Sequence, residues 1–389
     1  MFSGSYRTTW IATLFFFAAF YTLNIPVPRY LHSLGLGDAQ IGLVLSAFTV
    51  AALAGRPLGG YLVDRWGSQR VMLLGAGLLL IGSLGMSAST QLVPLFLTRV
   101  LQAGGYSIFS TASMTLITLL VPDDRRGQAI AWFGIAANVA IVTIPTLVDA
   151  LLPGIGLQGA FIMAASAALM CALVASLLQP IRVASEGGAL WPVPSVLWTP
   201  MLGAWLSGVG YGAFFQFVPL LAERELQVSA GFAYIPYGLA IILTRVISGR
   251  WQDHANRGTV NALGYLLVTL GLIGYALASS VWGLAAASVI VAVAMGLLAP
   301  GIAALHVDRL PSQRGRAVAL YYLSFDLGIG SGAWLLGLLL EWSGFGGMYL
   351  GAALLLALGV PLAWVHHRRR ITMIPTPTPT SLAPSAAGD

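Results

Sequence analysis

Long apolar runs broken by short polar stretches repeat along nearly the whole chain, and each run is long enough to cross about 30 Å of hydrocarbon as a helix. They occupy residues 8–31, 39–59, 71–89, 92–120, 128–151 and 156–178, then 199–222, 229–248, 258–279, 282–305, 316–340 and 344–365. Twelve such runs predict an all-α integral membrane protein with twelve transmembrane helices. The first run is read as a span and not as a cleaved leader, because another follows it at once and no small-residue cleavage site is suitably placed. Residues 371–389 are rich in Pro, Thr and Ser, show no apolar periodicity, and are expected to form a disordered cytoplasmic tail.

The polar stretches carry an internal repeat. Arg56, Gly60 and Asp64 recur as Arg245, Gly249 and Asp253, each 189 positions later. Gly42 and Gly231, Pro122 and Pro311, and Arg125 and Arg314 keep the same spacing. The register then slips to 188, pairing Gly127 with Gly315, Ala129 with Ala317 and Asn138 with Asp326. Two six-helix pseudo-symmetric bundles follow, residues 1–180 and 199–370, joined by a cytoplasmic connector over 181–198. Parallel repeats of this kind imply a pseudo-two-fold axis along the membrane normal, with a central site between the halves.

Composition removes the competing classes. The chain is 58% hydrophobic and only 8% charged, against about 25% charged in soluble domains. The net charge of +6 therefore reads as orientation and not as affinity for nucleic acid. With both termini cytoplasmic, Arg7, Arg65, Arg70, Arg125, Arg126, Arg182, Arg250, Arg257, Arg309, Arg314 and Arg316 fall inside, and only Arg29 and Arg224 outside, as the positive-inside rule requires of a multi-pass plasma (inner) membrane protein. His366 and His367 with the following arginines read as a cytoplasmic stop against anionic membrane lipid. The single Cys171 excludes an intramolecular disulfide. There is no Cys/His cluster, no phosphate-binding loop and no nucleophile–base set, so no metal, cofactor or enzymatic activity is expected.

The stretch Gly60-Tyr-Leu62-Val-Asp64-Arg65-Trp-Gly67-Ser-Gln-Arg70 resembles the loop between spans two and three of the major facilitator superfamily, G-x-L-x-D-R-x-G-x-x-R. Arg99-Val-Leu-Gln102-Ala-Gly-Gly105 is similar to that family's R-x-x-Q-G-x-G, with Ala103 in place of the first glycine. The resemblance implies alternating access and a monomer, and it implies that Asp64 meets the start of span eleven when the cytoplasmic side closes. A helix N-terminus near Gly315 would attract a carboxylate there. Arg56, Gly60, Asp64, Arg65, Gly67 and Arg70, with their echoes Arg245, Gly249 and Asp253, are thus the gating candidates. The plainer reading is a static turn bearing surface ion pairs.

Two charges lie deep in spans. Arg99 is about two turns into span four, and Asp326 lies about ten residues into span eleven, near the midplane. A carboxylate there can bind and release a proton as its exposure changes, so Asp326 and Arg99 are the proton-coupling candidates. In the alternative, Asp326 holds span eleven against span two or ten, as the uncharged Asn138 would in the other half. By resemblance, spans one, four, seven and ten are central, and the expected cavity set is Tyr21, Asn24, Arg29, Gln102, Tyr106, Asn138, Tyr211, Gln216 and Met295. Its aromatic and polar character suits an amphipathic organic molecule better than a bare ion.

The resemblance leans toward drug-efflux-like proton antiporters, although span five keeps only Pro145 of their glycine–proline pattern. The expected function is proton-coupled export of a small amphipathic compound, with protons, substrate and membrane lipids as partners. The alternatives are proton-coupled uptake or facilitated diffusion of a metabolite, a lipid flippase, or a non-transporting sensor.

Overall fold

The computed structural model describes residues 3–36, 38–179, 192–229, 231–254 and 256–368. Most of the expected connector and all of the expected tail lie outside the described residues. The described chain is helical almost throughout: α1 (Gly4–Thr22), α2 (Pro26–Ser33), α3 (Asp38–Trp66), α4 (Ser68–Ala88), α5 (Leu92–Leu120), α6 (Arg126–Ser176), α7 (Trp198–Gly212), α8 (Val218–Arg224), α9 (Gly231–His254), α10 (Arg257–Ala276), α11 (Val281–Arg309), α12 (Arg314–Ala357) and α13 (Gly359–Arg368).

Proline and glycine explain where these differ from the expected runs. Span one breaks at residues 23–25, and α2 restarts with Pro26 at its first turn, where a missing N–H costs nothing. Span seven passes through a π-turn, Ala213–Phe217, before α8 resumes with Pro219 in its first turn. At 51 residues, α6 would be about 75 Å long if straight, more than twice the membrane core. It is two spans joined at Gly156, whose φ of 67° only glycine adopts freely. In α12 the same join falls at Gly344, with φ of 65°. Gly156 and Gly344 stand 188 positions apart, in the register of Asn138 and Asp326, so the repeat extends to the backbone hinge. Counting these joins, twelve spans result.

Large apolar side chains that face outward, such as Ile81, Leu84 and Leu354, would be costly in water and are at home in lipid. Exposed tryptophans mark both membrane surfaces. Trp66, Trp198 and Trp364 lie at the arginine-rich end, and Trp282 and Trp342 at the other.

Within the first half α1 packs on α6, α4 on α5 and α6, and α3 on α5. Within the second, α7 packs on α12, α10 on α11 and α12, and α9 on α11. Stacked rings close each core: Phe16 on Phe109, with centroids 3.8 Å apart, and Phe214 on Tyr237, 4.1 Å apart. The halves meet chiefly along α3 with α12 and along α6 with α9, two contacts that the repeat makes equivalent.

Candidate substrate and coupling site

Along the α3–α12 seam, Gly60 brings the two backbones together. A Cβ at this position would stand 2.7 Å from that of Ala319 and 3.1 Å from the Gly315 carbonyl oxygen. One turn further, Asp64 points at the start of α12, where its carboxylate accepts hydrogen bonds from the backbone N–H groups of Gly315 and Arg316. These amides have no partner within the helix, and the dipole there favours an anion. Asp64 lies beyond the apolar run of α3. Burial pushes its carboxyl up to about 6, against the opposing pull of the two amides and of the Arg316 charge. Its Oδ2 is enclosed without a hydrogen-bond partner.

Arg65 and Arg70 do not pair with Asp64. Both are exposed, and Arg65 donates to the Tyr61 hydroxyl at 2.7 Å. Gly67, with φ of 85°, turns the chain from α3 into α4. Gly249 falls within α9, and the Asp253 side chain lies outside what the structure describes.

The same end is tied by a second group of charges. Arg126 bonds both Asp308 and Asp123, and Arg257 Nε reaches the other oxygen of Asp308 at 3.1 Å. Arg314 donates to the Thr118 carbonyl and sits 3.7 Å from Asp123. Arg126 and Asp123 belong to the first half, Asp308 and Arg314 to the second, so the halves are fastened together here.

About 16 Å along α12 from Gly315, Asp326 bonds a partner the sequence placed among the gating residues. Its Oδ2 accepts from Arg56 Nε at 2.8 Å, across the interface between halves. The Arg56 side chain is 0% exposed, and that of Asp326 is 18% exposed. Its Nη1 reaches both the Ser110 hydroxyl and the Ser107 carbonyl, while Nη2 is enclosed without a hydrogen-bond partner. Its faces are covered by Tyr106 and Tyr322, with ring centroids 4.9 and 4.3 Å away. Arg99 is not part of this cluster. It bonds Gln102 at 2.9 Å, and Gln102 in turn bonds the Gly82 carbonyl at 3.1 Å, fixing α5 to α4 within the first half.

Beside the Arg56–Asp326 pair lies a cavity of about 170 Å³ between the halves. Of the residues expected to line it, Tyr21, Tyr106, Asn138, Tyr211 and Met295 do so. Asn24, Arg29, Gln102 and Gln216 are not among its lining residues, each for a local reason. Asn24 sits in the exposed turn that ends α1. Arg29 pairs with Asp149 at 3.0 Å on the surface, both side chains about half exposed. Gln102 is consumed by its bonds within the first half, and Gln216 is turned outward by the π-turn. The cavity also takes Arg245, which the repeat had marked for gating, together with Tyr237, Tyr321 and Tyr322. Spans five, eight and eleven thus contribute as much as the expected central helices.

A sequence model of the Major Facilitator Superfamily matches residues 9–283 and 201–387. The chain belongs to the major facilitator superfamily. It is similar to the uncharacterized MFS-type transporter YhhS of Escherichia coli K12, at 27% identity over 378 residues covering 93% of each chain. The YhhS protein of Salmonella typhimurium matches at 26% with the same coverage. Among solved structures, the transporter FucP in its outward conformation superposes with a TM-score of 0.76 at 17% identity, covering 93% of this chain and 99% of FucP. The human organic anion transporter MFSD10 gives 0.76 at 17%, covering 92% and 98%. The protein is therefore a multi-pass membrane transporter of this superfamily and not an enzyme, and the solved neighbours speak to its fold alone.

Proposed function

We propose that the protein is a proton-coupled secondary transporter that exports a small amphipathic organic compound by alternating access. The observation that carries this reading is the Arg56–Asp326 ion pair, which joins the two halves near the midplane beside the cavity. A proton on Asp326 removes the negative charge that holds the Arg56 guanidinium. Protonation of Asp326 therefore releases the guanidinium and loosens α3 from α12, while re-formation of the pair expels the proton. Only the carboxylate can make this exchange, because arginine keeps its charge. The cavity lies between the same helices, so loading and release of substrate are linked to the same rearrangement.

Both termini are assigned to the cytoplasm, and the Asp64 and Arg126–Asp308 ties are the closed cytoplasmic gate. Protein reconstituted in liposomes with an imposed pH gradient tests the scheme: substrate should move against the proton flow, and Asp326→Asn should abolish proton-driven transport. An unchanged, still pH-driven flux in that variant would remove Asp326 from the mechanism. A second reading, proton-coupled uptake, is favoured by the neighbours described as proton symporters of fucose and xylose. Flux in the same direction as the protons would establish it.

A further inference from the structure

The two halves repeat not only in sequence but in their contacts. Gly55 faces Ser107, where a Cβ on the glycine would lie 2.8 Å from Ser107 Cβ. At the 189-residue spacing, Thr244 faces Gly296, and a Cβ on that glycine would lie 2.8 Å from Thr244 Cγ2. The register that equates α3 with α9 and α5 with α11 is therefore a structural one. It makes Arg245 the counterpart of Arg56.

The surroundings of the two arginines differ at every place that matters. Arg56 is held by Asp326, Ser110, Tyr106 and Tyr322. Carried through the repeat, those positions are Asn138, Ala299, Met295 and Gly134. The carboxylate has become a neutral amide, the hydroxyl a methyl, one aromatic face a thioether, and the other has vanished. All four replacements line the cavity, and so does Arg245.

Gly134 makes room for the guanidinium, since a Cβ there would lie 1.6 Å from Arg245 Nη1. The ionisable groups around Arg245 are the tyrosines 211, 237, 321 and 322, with no carboxylate among them. Its Nε is enclosed without a hydrogen-bond partner, and the Asn138 Nδ2 is likewise. The Arg245 guanidinium is partly buried and lines the cavity beside spare donors, a setting that an anion in the cavity would complement. No described residue supplies one.

Resting on the transporter reading above, we infer that the substrate is a small organic anion, a carboxylate on an aromatic or apolar body, whose acid group docks on Arg245 and Asn138. The planar guanidinium offers paired donors to a carboxylate. The surrounding tyrosine and phenylalanine rings take the body. A space of this size accommodates a single ring, for a cavity of about 150 Å³ holds benzene. One half of the repeat thus keeps its charge pair for itself, and the other leaves its arginine for the ligand.

The test uses purified full-length protein in lipid nanodiscs and three probes that share a ring and differ in charge: benzoate, benzamide and benzylammonium. Binding is measured by calorimetry, independently of transport direction or proton flow. Benzoate should bind in preference to both others. Arg245→Gln should weaken it by roughly 10- to 100-fold, the loss expected for one charge-assisted contact, with benzamide little changed. Asn138→Asp recreates the Asp326 arrangement, so it should abolish benzoate binding while raising the unfolding temperature of the ligand-free protein. Asp326→Asn should keep the benzoate preference, so that failure of proton coupling and failure of anion recognition are separate results. Equal binding of the three probes, no binding of benzoate to the wild type, or a preference that survives both Arg245→Gln and Asn138→Asp would overturn the inference.

Discussion

Removal of either member of the Arg56–Asp326 pair should destabilise the protein, and the two removals should not cost the same. Asp326→Leu strands a guanidinium that is 0% exposed and cannot shed its charge. Breaking a buried pair from one side costs about 3–5 kcal/mol, and this variant belongs at the upper end. The serine and tyrosine contacts of Arg56 remain but carry no compensating negative charge. Arg56→Met strands a carboxylate that is 18% exposed and that can take up a proton, so its cost is smaller and shrinks as the medium is acidified.

The double variant Arg56→Met with Asp326→Leu replaces the pair by apolar groups of similar bulk, and should return to within about 1–2 kcal/mol of the wild type. Denaturation in a fixed micelle, followed through tryptophan fluorescence, gives the four stabilities of the cycle. The same proteins in liposomes should show that the stable double variant has lost proton-driven flux. If the double variant is no more stable than Asp326→Leu alone, the two residues do not act as a pair and the coupling scheme loses its basis.

Four further outcomes follow from the arginine-rich end. In the closed arrangement the Asp64 carboxyl titrates at about 6, against about 4 once exposed, so the closed form binds the proton more tightly. Closure is then favoured as pH falls from about 7 to 4, changes little outside that window, and loses this dependence in Asp64→Asn; label-to-label distances between the ends of α3 and α12 would report it. Gly60→Leu forces a side chain into a 2.7 Å gap against Ala319; overpacking of about 1–3 kcal/mol should separate the same labels and lower transport. Asp308→Asn deprives the buried Arg126 and its neighbour Arg257 of a shared carboxylate and should lower the unfolding temperature clearly. By contrast, Asp123 is 75% exposed, and Asp123→Asn should cost no more than about 1 kcal/mol, with screening by added salt.

The sequence disclosed what depends on spacing and periodicity. Apolar run lengths give the spans and arginine placement gives an expected orientation, whereas the hinges at Gly156 and Gly344 emerge from their positive φ and only then fall into the 188-residue register. What stayed hidden depends on which helix faces which. Arg56 stands four residues from Gly60 in an obvious loop motif, so it read as gating, while its helix carries it into the membrane to meet Asp326. Arg99 read as functional because a charge in a span is expensive, yet an i,i+3 partner, Gln102, receives it at 2.9 Å. Arg245 is visible as a repeat of Arg56, but its role depends on its neighbours, which the repeat supplies only when the contacts of Arg56 are carried through it. That comparison needs only the sequence once the contacts of one half are known.

The two ties on α12 are joined mechanically. Asp64 meets this helix at Gly315 and Arg316, and Arg56 meets it at Asp326, about three turns further along the same rod. Both partners come from α3, itself one continuous helix through this stretch. Neither tie can open far while the other holds, because packed helices shift as bodies and not residue by residue. Under the proposed coupling scheme, loosening of the Arg56–Asp326 tie lowers the cost of releasing Asp64, and a change at Asp64 should be felt at Asp326. The prediction is reciprocal: Asp64→Asn should shift the pH at which transport is half-activated even though Asp64 lies far from the cavity. A variant with altered rate but an unshifted pH profile would mean that gate and proton site move separately.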